Sequence, residues 1–237
     1  MRSAFVVGCG QFIDSSIHTL SYALNDANEF HSVITDSKLG DADRESSILL
    51  QNPPREDLLR KMGSFLEKLK PQDEFIIYFA GHGWRLPSGQ WAFLCNDSNP
   101  KSAALTTFAY SDLKRLISGK DRKRGILIFD TCFARSADSV LRGLRERGEF
   151  AGMQPEPPQE GIVTIWACGA AELTFEKSGH GLLSAWLLKA IRGGAGLGPN
   201  IEFLGTGDAV SWIRTQLAAA HMSEPLWPSF RAAGDTA

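Results

Sequence analysis

Apolar residues come along the chain in short blocks, and the spacing within each block predicts its geometry. "AFVV", Ala4 to Val7, is an unbroken apolar run closed by the turn residues of "GCG", as expected of a strand. In "TLSYALNDANEF", Leu20, Ala23, Leu24, Ala27 and Phe30 recur at helical spacing, so Thr19 to Phe30 predicts a helix. The polar "DSKLGDADRE" reads as a loop, and "SSILLQ" as a second short strand. "NPPREDLLRKMGSFLEKLK" opens on prolines, which suit a first helical turn. Leu58, Leu59, Met62, Phe65, Leu66 and Leu69 form its apolar stripe, and Pro71 to Asp73 ends it.

Three later blocks are apolar throughout: Phe75 to Ala80, Gly125 to Phe129, and Gly161 to Ala167. A strand without alternation is buried on both faces, as in a parallel sheet covered by helices. Gln90 to Leu94 predicts another short strand, and "PLWPSF" a last extended piece. Tyr110 to Ile117, Gly181 to Ile191 and Val210 to Ala220 predict helices. Strands alternating with helices imply an α/β/α sandwich with a mainly parallel central sheet. We expect one domain over residues 1–237, with 1–134 and 161–237 as its two folded parts. Between them, 135–160 carries charges and then "MQPEPPQE", poor in apolar residues, which reads as a linker within the domain.

Composition narrows the function classes. The 237 residues hold 25 basic and 27 acidic side chains, so no net positive field invites nucleic acid. No stretch approaches a membrane-spanning length, and the N-terminal apolar run is shorter than a signal peptide's. Cys9, Cys95, Cys132 and Cys168 show no paired or metal-type spacing, which fits a reducing, cytoplasmic compartment. His18, His31, His180 and His221 show no partner at ligand spacing.

Two of the apolar blocks run into a reactive side chain. "YFAGHG" leads to His82 and "ILIFDTCFA" to Cys132. In an open α/β sheet, functional groups gather beyond the carboxyl ends of the strands, so neighbouring strands would bring these two together. A thiolate attacks a peptide carbonyl, and an imidazole gives the departing amine its proton. Gly81 and Gly83 let substrate backbone come close, and the N–H groups of Gly83 and Cys132 are candidate oxyanion donors. Taken singly, a buried cysteine is an inert small hydrophobe and a lone histidine a structural residue.

These motifs resemble those of the caspase-like cysteine peptidases, most closely the metacaspase and bacterial branches. "YFAGHG" is similar to their His motif and "FDTCFA" to their Asp-x-Cys motif. Cys132 follows His82 by 50 residues, the separation already known for caspases. "LSYALNDANEF" resembles the family's first helix, and "GIVTIWACGAAELTFEKSGHGLLSAWLLKAI" the start of its small-subunit region, so the likeness runs from about Phe5 to Ile191. The chain departs from the metacaspase pattern after the cysteine, where Phe133, Ala134 and Arg135 replace His-Ser-Gly. It also lacks the usual Asn-Tyr before the first helix. Both departures bear on specificity and activation, not on the dyad.

The resemblance implies an endopeptidase acting on protein substrates, with His82 as general acid/base and Cys132 as nucleophile. Asp130, two residues before the cysteine, would line a pocket for Arg or Lys, where true caspases carry Gln; its plainer use is as a turn or helix cap. Asp14 is a candidate second acidic wall, and Trp166 a candidate substrate contact or core residue. Arg135, Arg142, Arg145 and Arg147 lie where such enzymes carry a processing site. The dyad needs no cofactor. Some metacaspases use calcium, for which Asp97, Asp112 and Asp138 are candidate ligands, although Asp on surface loops is commonplace. With little beyond a catalytic domain, we expect a separate activating or regulatory protein partner, as for a bacterial defence or cell-death effector. The alternative is an inactive caspase-like binding module.

Overall fold

The three unbroken apolar runs become neighbouring central strands. A computed structural model describes residues 1–118, 124–133, 157–167, 179–195, 204–220 and 228–232, and of Cys132, Phe133, Ser229 and Ala232 the backbone alone. Arg135, Asp138, Arg142, Arg145 and Arg147 lie outside the described residues, as does most of the expected linker. Strand β1 spans Arg2–Gly8, β2 Ile48–Gln51, β3 Glu74–Arg85, β6 Gly125–Phe133 and β7 Ile162–Trp166. They lie in the order β2-β1-β3-β6-β7, each pair parallel. The final piece, β8 at Ser229–Ala232, closes the edge antiparallel to β7.

Helices cover both faces, as burial of both strand faces requires. Helix α1 (Ala23–Ile34), α5 (Leu182–Lys189) and α6 (Thr206–Ala219) pack on Ala4, Val6, Ile76, Tyr78 and Ile128. Helices α2 (Arg55–Lys68) and α4 (Tyr110–Ile117) pack on Phe5, Val7, Phe75, Ile77, Phe79 and Phe129. Short β4 (Trp91–Phe93), α3 (Ala103–Thr106) and β5 (Phe108–Ala109) lie between α2 and α4 in sequence. Among the described residues no helix is long and apolar enough to cross a membrane.

Two expectations change. Helix α1 starts at Ala23 rather than Thr19, because Leu20 donates its N–H to the Gly10 carbonyl and so ties the preceding loop back to β1. The central strands do not stop at Ala80 and Phe129. Strand β3 continues to Arg85 and β6 to Phe133, because residues 81–83 pair with 131–133 and residues 83–85 pair antiparallel with β4. Gly81 permits this continuation: a Cβ there would come within 2.9 Å of the Cys9 carbonyl oxygen and of the Phe79 ring. His82 and Cys132 therefore stand inside paired strands, not in loops past them.

Candidate active site

His82 and Cys132 are register partners on the adjacent parallel strands β3 and β6. Neighbouring strands run about 4.8 Å apart, so two positions 50 residues apart in sequence become backbone neighbours. The His82 ring is 2% exposed and is held from two sides. Phe12 stacks on it at 5.4 Å, and its Nε2 lies 2.7 Å from the His18 carbonyl oxygen. A carbonyl only accepts, so Nε2 carries the proton and the basic lone pair belongs to Nδ1. Both supports come from the loop between β1 and α1. His18 thus enters the site through its backbone, a role its side-chain type does not announce.

Two positions before the cysteine, Asp130 is 6% exposed and meets the start of α5. Its Oδ2 accepts from the Ser184 N–H at 3.0 Å and from the Ser184 hydroxyl. Because Ser184 spends its proton on Asp130, the Tyr78 hydroxyl donates to Ser184 Oγ, at 2.5 Å. Asp26, from α1, joins the same end of the helix: its Oδ2 accepts the Gly181 N–H at 2.9 Å. The first N–H groups of a helix lack intrahelical partners and carry partial positive charge, so α5 offers two carboxylates its N-terminus. Gly181 lets its backbone lie between them, since a Cβ there would come 2.6 Å from Asp130 Oδ2 and 3.2 Å from Asp26 Oδ2.

Burial of two like charges has a clear electrostatic cost. Loss of water, then the Asp130 carboxylate beside it, pushes the Asp26 carboxyl up to about 7. Burial likewise holds Asp130 above the usual carboxylate range, against the opposing bonds from Ser184. Tyr78, fully enclosed, stays neutral for the same reason. Two buried carboxyls thus share the N-terminus of one helix, with burial opposing the ionisation of both.

The sequence model of the caspase domain, a cysteine peptidase family, matches residues 1–204. The chain belongs to the caspase domain family. Its fold also matches the crystal structure of protein GSU0716 from Geobacter sulfurreducens, with a TM-score of 0.66 at 16% identity, covering 100% of this chain and 94% of that one. A search of curated proteins finds no match. The family match spans the motifs from Phe5 to Ile191 on which the sequence resemblance rests.

Within this caspase domain, the other candidates fall in different places. Asp14 sits partly exposed in the β1–α1 loop, where its Oδ1 accepts from the Ser16 N–H and hydroxyl. The carboxylate that lies beside Asp130 is Asp26, not Asp14. Trp166 is 2% exposed and packs on Phe129 at 4.2 Å, within the aromatic core under α4. Gly83 is paired within β3, opposite Phe93 and Phe133, beside the histidine.

Two of the three calcium candidates have protein partners. Asp97 accepts the Arg55 N–H at 2.8 Å, and Asp112 takes the Arg55 guanidinium at 3.2 Å and that of Arg115. Positive charge thus reaches Asp112 from two arginines, and Asp97 is held by a backbone N–H. Asp138 lies outside the described residues, among which no three His, Cys, Asp or Glu side chains are grouped to hold a metal ion.

The spacing of the sequence points to neither Asp26 nor His180. Asp26 falls on the buried stripe of α1, where helical periodicity expects an apolar residue. A buried acid on such a stripe was the available signal.

Proposed function

We propose that the chain is a cysteine endopeptidase that cleaves after Arg or Lys with a His82–Cys132 dyad. The observation that carries this reading is the β3–β6 register that pairs the two positions, with the imidazole fixed by the His18 carbonyl. The Cys132 thiol gives its proton to Nδ1 of His82, and the thiolate forms a bond to the scissile carbonyl carbon. The N–H groups of Gly83 and Cys132 stabilise the oxyanion. As the C–N bond breaks, the imidazolium returns the proton to the leaving amine and a thioester remains. Water then attacks the thioester, passing a proton to His82; the C–S bond breaks, the thiolate takes that proton back, and the acid product departs. Asp130 and Asp26 supply the anionic recess that favours a basic residue before the cut and disfavours an acidic one.

Fluorogenic peptides ending in Arg, Lys or Asp, offered to wild type and to Cys132→Ala, test this directly. We expect cleavage after Arg and Lys by wild type alone. Cleavage after Asp instead, or equal cleavage by both proteins, overturns the reading. Intact mass spectrometry of the same pair extends it: active enzyme cut at Arg135, Arg142, Arg145 or Arg147, and Cys132→Ala left whole, would make this stretch its own substrate.

A further inference from the structure

Asp26, one wall of the proposed recess, already has a partner. His180, between Gly179 and Gly181 at the entry to α5, places Nδ1 2.6 Å from Asp26 Oδ1 and Nε2 3.5 Å from Glu29 Oε1. Side-chain exposure falls along this line, from 34% at Glu29 and 21% at His180 to 3% at Asp26. A group approaching Asp26 from solvent therefore meets His180 first.

The turn is fastened by polar bonds, which water can replace. Asn25 Nδ2 donates to the Gly179 carbonyl at 3.2 Å, and the Gly181 N–H to Asp26. Glu29 has a second cation in Arg192, at 2.9 Å, so loss of His180 does not leave it bare. Gly179 has φ +85°, with nothing within 4 Å of where its Cβ would stand. On the other side Gly181 is wedged between the two acids. The histidine thus lies between an open pivot and a fixed anchor.

We propose that His180 is a resident stopper: a basic side chain of the chain itself, seated on Asp26 and Glu29, which an arriving Arg or Lys side chain must displace. The consequence for cleavage rests on the peptidase reading above; the displacement itself requires only a cation. A guanidinium is always charged and offers five donors in a plane, against two from a protonated imidazole. It can replace the bonds of His180 to Asp26 and Glu29. A neutral side chain cannot, so the stopper sharpens selection as well as closing the site.

The test uses full-length Cys132→Ala and benzamidine, a small guanidinium-like cation, with neutral benzamide as control. We expect the His180 imidazole signals in NMR to move in a saturable way with benzamidine and to stay in place with benzamide. His180→Gln should bind benzamidine about tenfold more tightly, because one charge-assisted hydrogen bond no longer competes. His180→Lys, a permanent cation at the same position, should bind it more weakly. Benzamidine that fails to bind, or binds with the His180 signals unmoved, overturns the stopper. Weaker binding in both variants also overturns it, because it marks His180 as a support of the recess. The two readings separate cleanly. Displacement of His180 by benzamidine without any peptide cleavage keeps the stopper and removes the peptidase; Arg-directed cleavage with His180 unmoved does the reverse.

Discussion

The two faces of the central sheet are built from alternate residues of the same strands, and they could hardly differ more. On the α2/α4 face, Phe79 and Phe129 are register partners inside an aromatic stack with Phe93 and Trp166, with ring centres 4.2 to 4.8 Å apart along Phe79–Phe93–Phe129–Trp166. One residue further along, the α1/α5 face pairs Ala80 with Asp130 and continues through Ser184 to Tyr78. The aromatic face is held by shape and loss of water, and tolerates any filling of equal volume. The polar face needs a partner for every atom, because an unpaired buried polar group costs more than a bond gains. One face therefore contributes through packing, and the other, on the function proposed above, through what it can bind.

The largest effect should come from breaking the aromatic face. Phe129→Ala should cost about 3–5 kcal/mol in denaturant unfolding, through lost burial and the cavity left among Phe79, Phe93 and Trp166. The folded fraction should keep the proposed preference for basic ligands. A variant that folds yet loses that preference would mean the two faces are not separable.

The converse change acts on the recess. Asp130→Asn keeps an acceptor for the Ser184 N–H but removes the charge. We expect KM for Arg peptides to rise roughly 10- to 100-fold, the loss of a charge-assisted bond, with little change in unfolding midpoint. A large loss of stability with unchanged KM would assign Asp130 to capping α5 alone.

Asp26 gives a pH test of the same contrast. Its folded-state carboxyl lies near 7, above the ordinary 3.8, so the folded state holds this proton more tightly than the unfolded one. The stability it contributes is full below about 4 and is lost as pH rises to about 7. Unfolding midpoints measured across that window should fall for wild type and stay flatter for Asp26→Asn. Identical slopes would show that His180 and the helix terminus already neutralise Asp26 in full.

Much of the fold was legible because most of it rests on local patterns. Unbroken apolar runs mark doubly covered strands, and the stripe from Leu58 to Leu66 marks α2. The pairing of positions 82 and 132 was legible because both follow such runs on strands of one type. The rest depends on what the chain meets elsewhere. Continuation of β3 to Arg85 needs β4 as a partner, and the start of α1 depends on a bond from Leu20 to Gly10. Asp26 and His180 are 154 residues apart and become a pair only when α5 docks on α1. His18 acts through a carbonyl that every residue type possesses. For Trp166 and Asp14 the sequence indicated the strand and the loop, but not the face or register each takes.

The smallest change probes how tightly the polar face is coupled. Tyr78→Phe removes the hydroxyl that donates to Ser184 and leaves the ring stacked on Phe30, 4.3 Å away. Ser184 still gives its proton to Asp130, so no buried donor is stranded, and the loss should stay near 0.5–1.5 kcal/mol. Affinity for benzamidine should barely move, since Tyr78 stands behind the carboxylates and away from the mouth that His180 fills. A loss well above that range, together with weakened benzamidine binding, would mean that Tyr78, Ser184 and Asp130 act as one cooperative chain. In that case the recess is tuned from beneath the sheet surface, and its affinity and its stability could not be altered one without the other.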